Sequence, residues 1–162
     1  MKIHSLNIET LKTHFAMYTQ IMHNDDKLTR TEKEMVGVVV SRLNSCTYCQ
    51  THHMEGLKRL LPDDRKEVAK QLFEGSNIDD IKLTEREKAF IQYGTKLTKE
   101  PGSIVKKDVD ALKKLGLDDR GCLELVQCIG YFNYVNRVVL GLGVALGEGE
   151  GKPGLWPTNV PK

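Results

Sequence analysis

The sequence predicts an all-α fold, and three observations carry that expectation. Apolar residues recur at steps of three and four along almost the whole chain. Capping and breaking residues fall where each such run begins and ends. No stretch shows the strict alternation of a half-buried strand.

Taken in order, Ile8, Leu11, Phe15, Tyr18 and Met22 form an amphipathic stripe on a first helix. Leu28 to Asn44 reads as a second helix, with Val36, Val39, Val40 and Leu43 toward a core. Thr47 to Leu61 is a third, stopped by Pro62. Asp63 or Asp64 caps a fourth that ends near Gly75. Thr84 to Thr98 makes a fifth, ended before Pro101-Gly102, and Val105 to Leu115 a sixth, closed by Gly116. Asp118 or Asp119 opens the seventh and longest, expected to run to about Leu146. Residues 147–162 read as an irregular extension carrying Trp156, which is expected to dock on its own domain or on a neighbouring subunit.

At 162 residues the chain suits a single domain spanning 1–162. A domain of that size buries roughly 70% of its unfolded surface, enough for a core without disulfide staples or a structural metal. Lys and Arg number 24 against 22 Asp and Glu, interspersed along the chain. No basic block points to nucleic acid and no acidic tail to a buffering role. The N-terminal residues lack the apolar stretch of a secretory signal, and the longest apolar run, Val138 to Leu146, is far short of a membrane span. A cytoplasmic protein is expected, where a C-x-x-C pair is catalytic or metal-binding more often than a permanent bridge.

One internal similarity stands out. Leu28-Thr29-Arg30-Thr31-Glu32-Lys33 resembles Leu83-Thr84-Glu85-Arg86-Glu87-Lys88, and both segments open helices. Thr29 with Glu32, and Thr84 with Glu87, fit the capping box, in which hydroxyl and carboxylate satisfy each other's backbone donors. The pattern suggests a repeated helical hairpin. In the second copy Ala89 stands where the first has Glu34, and Pro101 where it has Cys46, so only the first has the residues for thiol chemistry.

That first copy holds Glu34, Cys46, Cys49 and His53. On a helix beginning near Ser45, Cys46 falls in the first turn and Cys49 three residues on. At about 100° per residue Cys49 and His53 lie within roughly 40° of each other, with Cys46 close by. The helix N-terminus favours a thiolate, and an imidazole beside Cys49 can take its proton. A tight hairpin can bring Glu34 to His53. A thiolate so made attacks a peroxide and becomes a sulfenic acid, which a neighbouring thiol condenses to a disulfide.

Other readings compete. Glu34 is a possible capping partner of Thr31, although the repeat assigns capping to Thr29 and Glu32. The C-x-x-C pair is a common zinc half-site, with His52 or His53 as further ligands. Cys122 and Cys128, about 240° apart on a helix, cannot easily complete it, and they read as buried apolar residues. His52 reads as a surface or packing residue and Tyr48 as a lid or packing residue. His4, His14 and His23 have no evident partner. A thioredoxin-like domain needs strands beside the motif, and none is visible.

The spacing Glu34, Cys46, Cys49, His53 resembles the signature of the AhpD-like alkylhydroperoxidases, in the all-helical carboxymuconolactone decarboxylase superfamily. Ser45 to His53 looks most like its peroxidase-related branch, as do Tyr131 to Val138 and the following Leu142-Gly143-Val144. The resemblance implies an AhpD-like bundle of about seven helices that forms a homo-oligomer, whether dimer, trimer or hexamer. It implies a thiol peroxidase that reduces hydrogen peroxide or organic hydroperoxides through a Cys46–Cys49 disulfide. Cys49 would be the peroxidatic cysteine and Cys46 the resolving one, with His53 and Glu34 as a proton relay. Helix-dipole reasoning alone favours Cys46 as nucleophile. No cofactor or metal is expected; the partners are a peroxide and an external dithiol or protein reductant. The best-known members carry His where this chain has Tyr48, which bears on the reductant. The alternatives are a disulfide reductase or redox relay with little peroxidase activity, and a redox-sensing interaction protein.

Overall fold

The computed structural model describes residues 2–144 and 146; the side chains of residues 1–3, the 147–162 extension and the expected docking of Trp156 lie outside that description. Seven α-helices and no strand occur among the described residues: α1 Ile8–His23, α2 Arg30–Leu43, α3 Thr47–Leu60, α4 Lys66–Glu74, α5 Glu85–Lys99, α6 Lys106–Lys114 and α7 Asp119–Gly141. Short 3-10 turns precede α1, α4, α5 and α6.

Both predicted capping boxes form. Thr29 and Thr84 accept from the backbone N–H of Glu32 and Glu87, whose carboxylates return to the threonine N–H groups at 2.8 Å. Asn7 caps α1 and Asp118 caps α7 in the same way with their side-chain oxygens.

The helix α2 is buried on every side from Glu32 to Ser41. Val36 and Val40 join a core built with α1, α5 and α7, in which Phe90, Leu125, Ile129 and Phe132 are buried. Met35, Val38 and Val39 join a second core with Leu57, Val68, Leu72 and Ile91 of α3, α4 and α5. A helix walled on both flanks must pair the polar groups it buries, and the first turn of α2 does so. Its Lys33 ammonium and Arg30 guanidinium donate to the carbonyls of Asn24 and Met22, at the C-terminal end of α1. Those carbonyls have no partner within their own helix.

Three expectations are corrected. α7 stops at Gly141 rather than near Leu146, because Gly143 adopts φ 65 and closes the helix. The Val144 and Gly143 N–H groups donate back to Val139 and Leu140, a left-handed terminator that glycine adopts at little cost. On α1 the apolar stripe divides: Met22 is buried and Tyr18 partly so, whereas Ile8 and Phe15 are 55% and 56% exposed. His14 takes the buried place on that helix, its ring stacked on His4 at 3.9 Å and its Nε2 3.4 Å from the Tyr131 hydroxyl. Thus His4 and His14 do have partners. Burial and the adjoining His4 hold His14 down at about 4, so it is neutral near pH 7.

Candidate active site

The α2–α3 connection sets the geometry. The Ser45 N–H donates to the Arg42 carbonyl and the Cys46 N–H to the Ser41 carbonyl, both at 2.9 Å. This reversed-turn terminator needs a left-handed residue, and Ser45 supplies it at φ 58. The strain of a non-glycine residue there is about 1 kcal/mol. Cys46 therefore leaves one helix and starts the next. It is the N-cap of α3 rather than a first-turn residue, and its carbonyl accepts from the Gln50 N–H at 2.9 Å.

The hairpin brings Glu34 to His53 directly, with Oε2 2.5 Å from Nδ1. The other carboxylate oxygen accepts from Arg30, at 2.8 Å from Nε and 2.6 Å from the second guanidinium nitrogen. Glu34 is 2% exposed. Burial pushes its carboxyl up, but the hydrogen bond and charge of His53, together with Arg30, more than offset this and hold it below the ordinary carboxylate range. Capping takes no part, since Glu32 fills that place.

His53 stands one helical turn beyond Cys49 and keeps 18% of its side chain exposed. The Phe132 ring of α7 meets it edge-on, with centroids 4.6 Å apart at 90°. That approach depends on Gly37, where a β-carbon would overlap the Phe132 ring. The imidazole is thus fixed by a carboxylate on one helix and an aromatic ring on another.

The sulfurs are covered. Cys46 is fully buried and Cys49 is 4% exposed, both under Val139 with Val135 and Val144. All four cysteines are free thiols. The two thiols interact, and Cys49 lowers the Cys46 thiol in spite of burial. Cys46 in turn, with burial, pushes the Cys49 thiol up. The pair therefore titrates as a unit, with one proton leaving well before the other.

Cys122 and Cys128 are buried in the α1–α2–α5–α7 core, apart from this pair. Tyr48 and the exposed His52 meet as rings 4.4 Å apart. Sequence reasoning missed Arg30, although its place four residues before Glu34 on one helix face was a readable signal. It also missed Asn136 and Ser41, both fully buried and joined at 3.1 Å, because nothing local to α7 says which elements it faces.

The carboxymuconolactone decarboxylase family model matches residues 9–66, from α1 into the start of α4. No curated protein sequence matches the chain. Among solved structures, a peroxidase-related protein from Silicibacter sp. TM1040 is 28% identical over 90% of this chain and 75% of its own, with a TM-score of 0.79. A second, described as an alkylhydroperoxidase AhpD core from Ralstonia eutropha JMP134, is 23% identical over 90% and 74%, with a TM-score of 0.80. A debrominase solved with 2,3,4-tribromopyrrole shares the fold at 15% identity over 89% and 74%, with a TM-score of 0.73. The family model thus lies on the helices that build the site, and the fold over nine-tenths of the chain is that of AhpD-type structures.

Proposed function

We propose that the protein is a thiol peroxidase that reduces hydrogen peroxide or an organic hydroperoxide and cycles a Cys46–Cys49 disulfide. The observation that carries this is the buried Glu34–His53 pair, 2.5 Å apart, one turn from Cys49. Cys49 attacks the outer peroxide oxygen and the O–O bond breaks. Its proton passes by way of His53 to the departing oxygen, which leaves as alcohol or water. The Cys46 thiolate then attacks the Cys49 sulfenic acid. The S–S bond forms, and the hydroxyl leaves as water with one proton taken from solvent. An external dithiol returns both thiols and is itself oxidised to a disulfide.

The lowered Cys46 thiol suits the resolving role, since a resolving sulfur must be anionic when the sulfenic acid appears. Glu34 orients the imidazole. Burial of both sulfurs favours a small peroxide over the disulfide of a folded protein, which would have to displace the Val139 cover. The purified protein, given a hydroperoxide and a dithiol, should consume both in equal amounts. Cys49→Ser should abolish this. Cys46→Ser should still form a sulfenic acid that dimedone captures, without the disulfide. A wild-type protein that consumes no peroxide with any small or lipoyl-type dithiol would end this reading.

No helix among the described residues is long and apolar enough to cross a membrane, in keeping with a cytoplasmic peroxidase. Copies of the chain would cover the exposed apolar residues Ile8 and Phe15 of α1 and Leu123 and Val126 of α7. Light scattering should therefore give a mass above one chain, and a clean monomer would count against that assembly.

A further inference from the structure

The helices α3 and α7 meet at the thiols with matched spacing. Cys46, Cys49 and His53 follow one face of α3; Val139, Asn136 and Phe132 follow one face of α7 at the same three- and four-residue steps. Val139 packs on the cysteines and Phe132 on His53, which leaves Asn136 opposite Cys49. Asn136 is fully buried.

Its amide has a forced orientation. The Arg137 guanidinium donates to Asn133 Oδ1 at 3.1 Å, so that oxygen is an acceptor. Asn44 Nδ2 donates to the same oxygen at 3.1 Å and to Asn136 Oδ1 at 3.0 Å. With its oxygen engaged, Asn136 turns Nδ2 to Ser41 Oγ at 3.1 Å and lies close enough to Cys49 to act on its thiol. The amide draws the Cys49 thiol down, against the larger upward effects of Cys46 and burial. An amide N–H only donates, so it binds a sulfur anion more strongly than a thiol.

We propose that Asn136 is a catalytic residue that stabilises the Cys49 thiolate, and that Asn44 and Asn133 are positioning residues that keep its donor aimed at the sulfur. This rests on the reading of Cys49 as the attacking thiol. The other titratable groups around Cys49 are Cys46 and His53 on α3, Glu34 behind His53 on α2, and Tyr131 on α7.

The test is the pH dependence of Cys49 alkylation by iodoacetamide in a Cys46→Ser background, read site by site by mass spectrometry. Adding Asn136→Ala should move the midpoint about one pH unit to the alkaline side, roughly a tenfold loss of thiolate at neutral pH. A folded variant with an unmoved midpoint overturns the proposal, even if its melting temperature falls, because that is what a structural role alone predicts. Asn44→Ser, measured in parallel, keeps the Asn136 amide but removes the group that aims it. A smaller shift of the same sign is expected. If Asn136→Ala does not fold, an unmoved midpoint in Asn44→Ser overturns the proposal. No peroxide enters this assay. A shift without peroxide turnover rejects the proposed reaction and keeps the role of Asn136; turnover without the shift does the reverse.

Discussion

The hairpins α2–α3 and α5–α6 begin with the same chemistry and end with different ones. Each opens with a threonine–glutamate capping box, and each box carboxylate also accepts an arginine from elsewhere at 2.7 Å, Glu32 from Arg86 and Glu87 from Arg65. Arg86 belongs to α5 and also donates to the Lys27 carbonyl just before α2, so the two helix starts are fastened together. The difference lies downstream. After α2 a tight left-handed turn sets α3 against it; after α5 the segment at Pro101–Ser103 makes a 3-10 turn, and α6 packs more lightly. Where α2 places Glu34 under His53, α5 places Ala89. A shared start signal thus fixes where a helix begins and how it is anchored, while the turn and one residue a helical step later decide whether a site exists.

The most severe way to break this contrast is Glu34→Ala, which gives α2 the residue of α5. With His53 no longer oriented, peroxide kcat/KM should fall by about 10²-fold or more. The same variant carries a pH signature. The Glu34 carboxyl is held below its unfolded value, so its contribution to stability is full above the unfolded pKa and is lost as pH falls through the folded one. Denaturant unfolding should show the gap between wild type and variant narrowing below about pH 4. A gap that widens there would contradict the assignment.

A smaller effect should separate Gly37 from its counterpart Gln92. Gly37→Ala drives a methyl into the Phe132 ring and should cost about 1–3 kcal/mol and disturb His53. Gln92 is exposed, and Gln92→Ala should stay within about 0.5 kcal/mol. Equilibrium unfolding checks both. Smallest and most alike should be Thr29→Ala and Thr84→Ala, each costing about 1 kcal/mol by loss of a cap. Peroxide turnover measured on the same samples should fall only for Thr29→Ala, because α2 alone carries the carboxylate. Equal activity losses would mean that the two hairpins do not differ in function.

Much of this was legible in the sequence because it is local. Capping boxes, helix period and the Gly75 and Gly116 stops depend on neighbours within a few residues, and the helices follow within one to three positions, apart from the overlong α7. The Glu34–His53 contact was readable because a short hairpin leaves little freedom for the residues flanking it. What could not be read is set by packing across the chain. Nothing in α2 itself announces burial on every side, since Lys33 and Arg30 look like surface charges until the end of α1 receives them. Likewise Asn136 becomes part of the site only through the register of α7 on α3.

Ser41 joins these two scales in one residue. Its main-chain carbonyl holds the Cys46 backbone, while its hydroxyl accepts the Asn136 amide. One amino acid thus seats the turn that carries Cys46 and anchors the amide on the facing helix. Exchange of the Ser41 side chain releases the Asn136 amide and leaves the main-chain bond that seats Cys46. The fold thereby offers a means to change what surrounds the thiol pair without rebuilding the turn that places it.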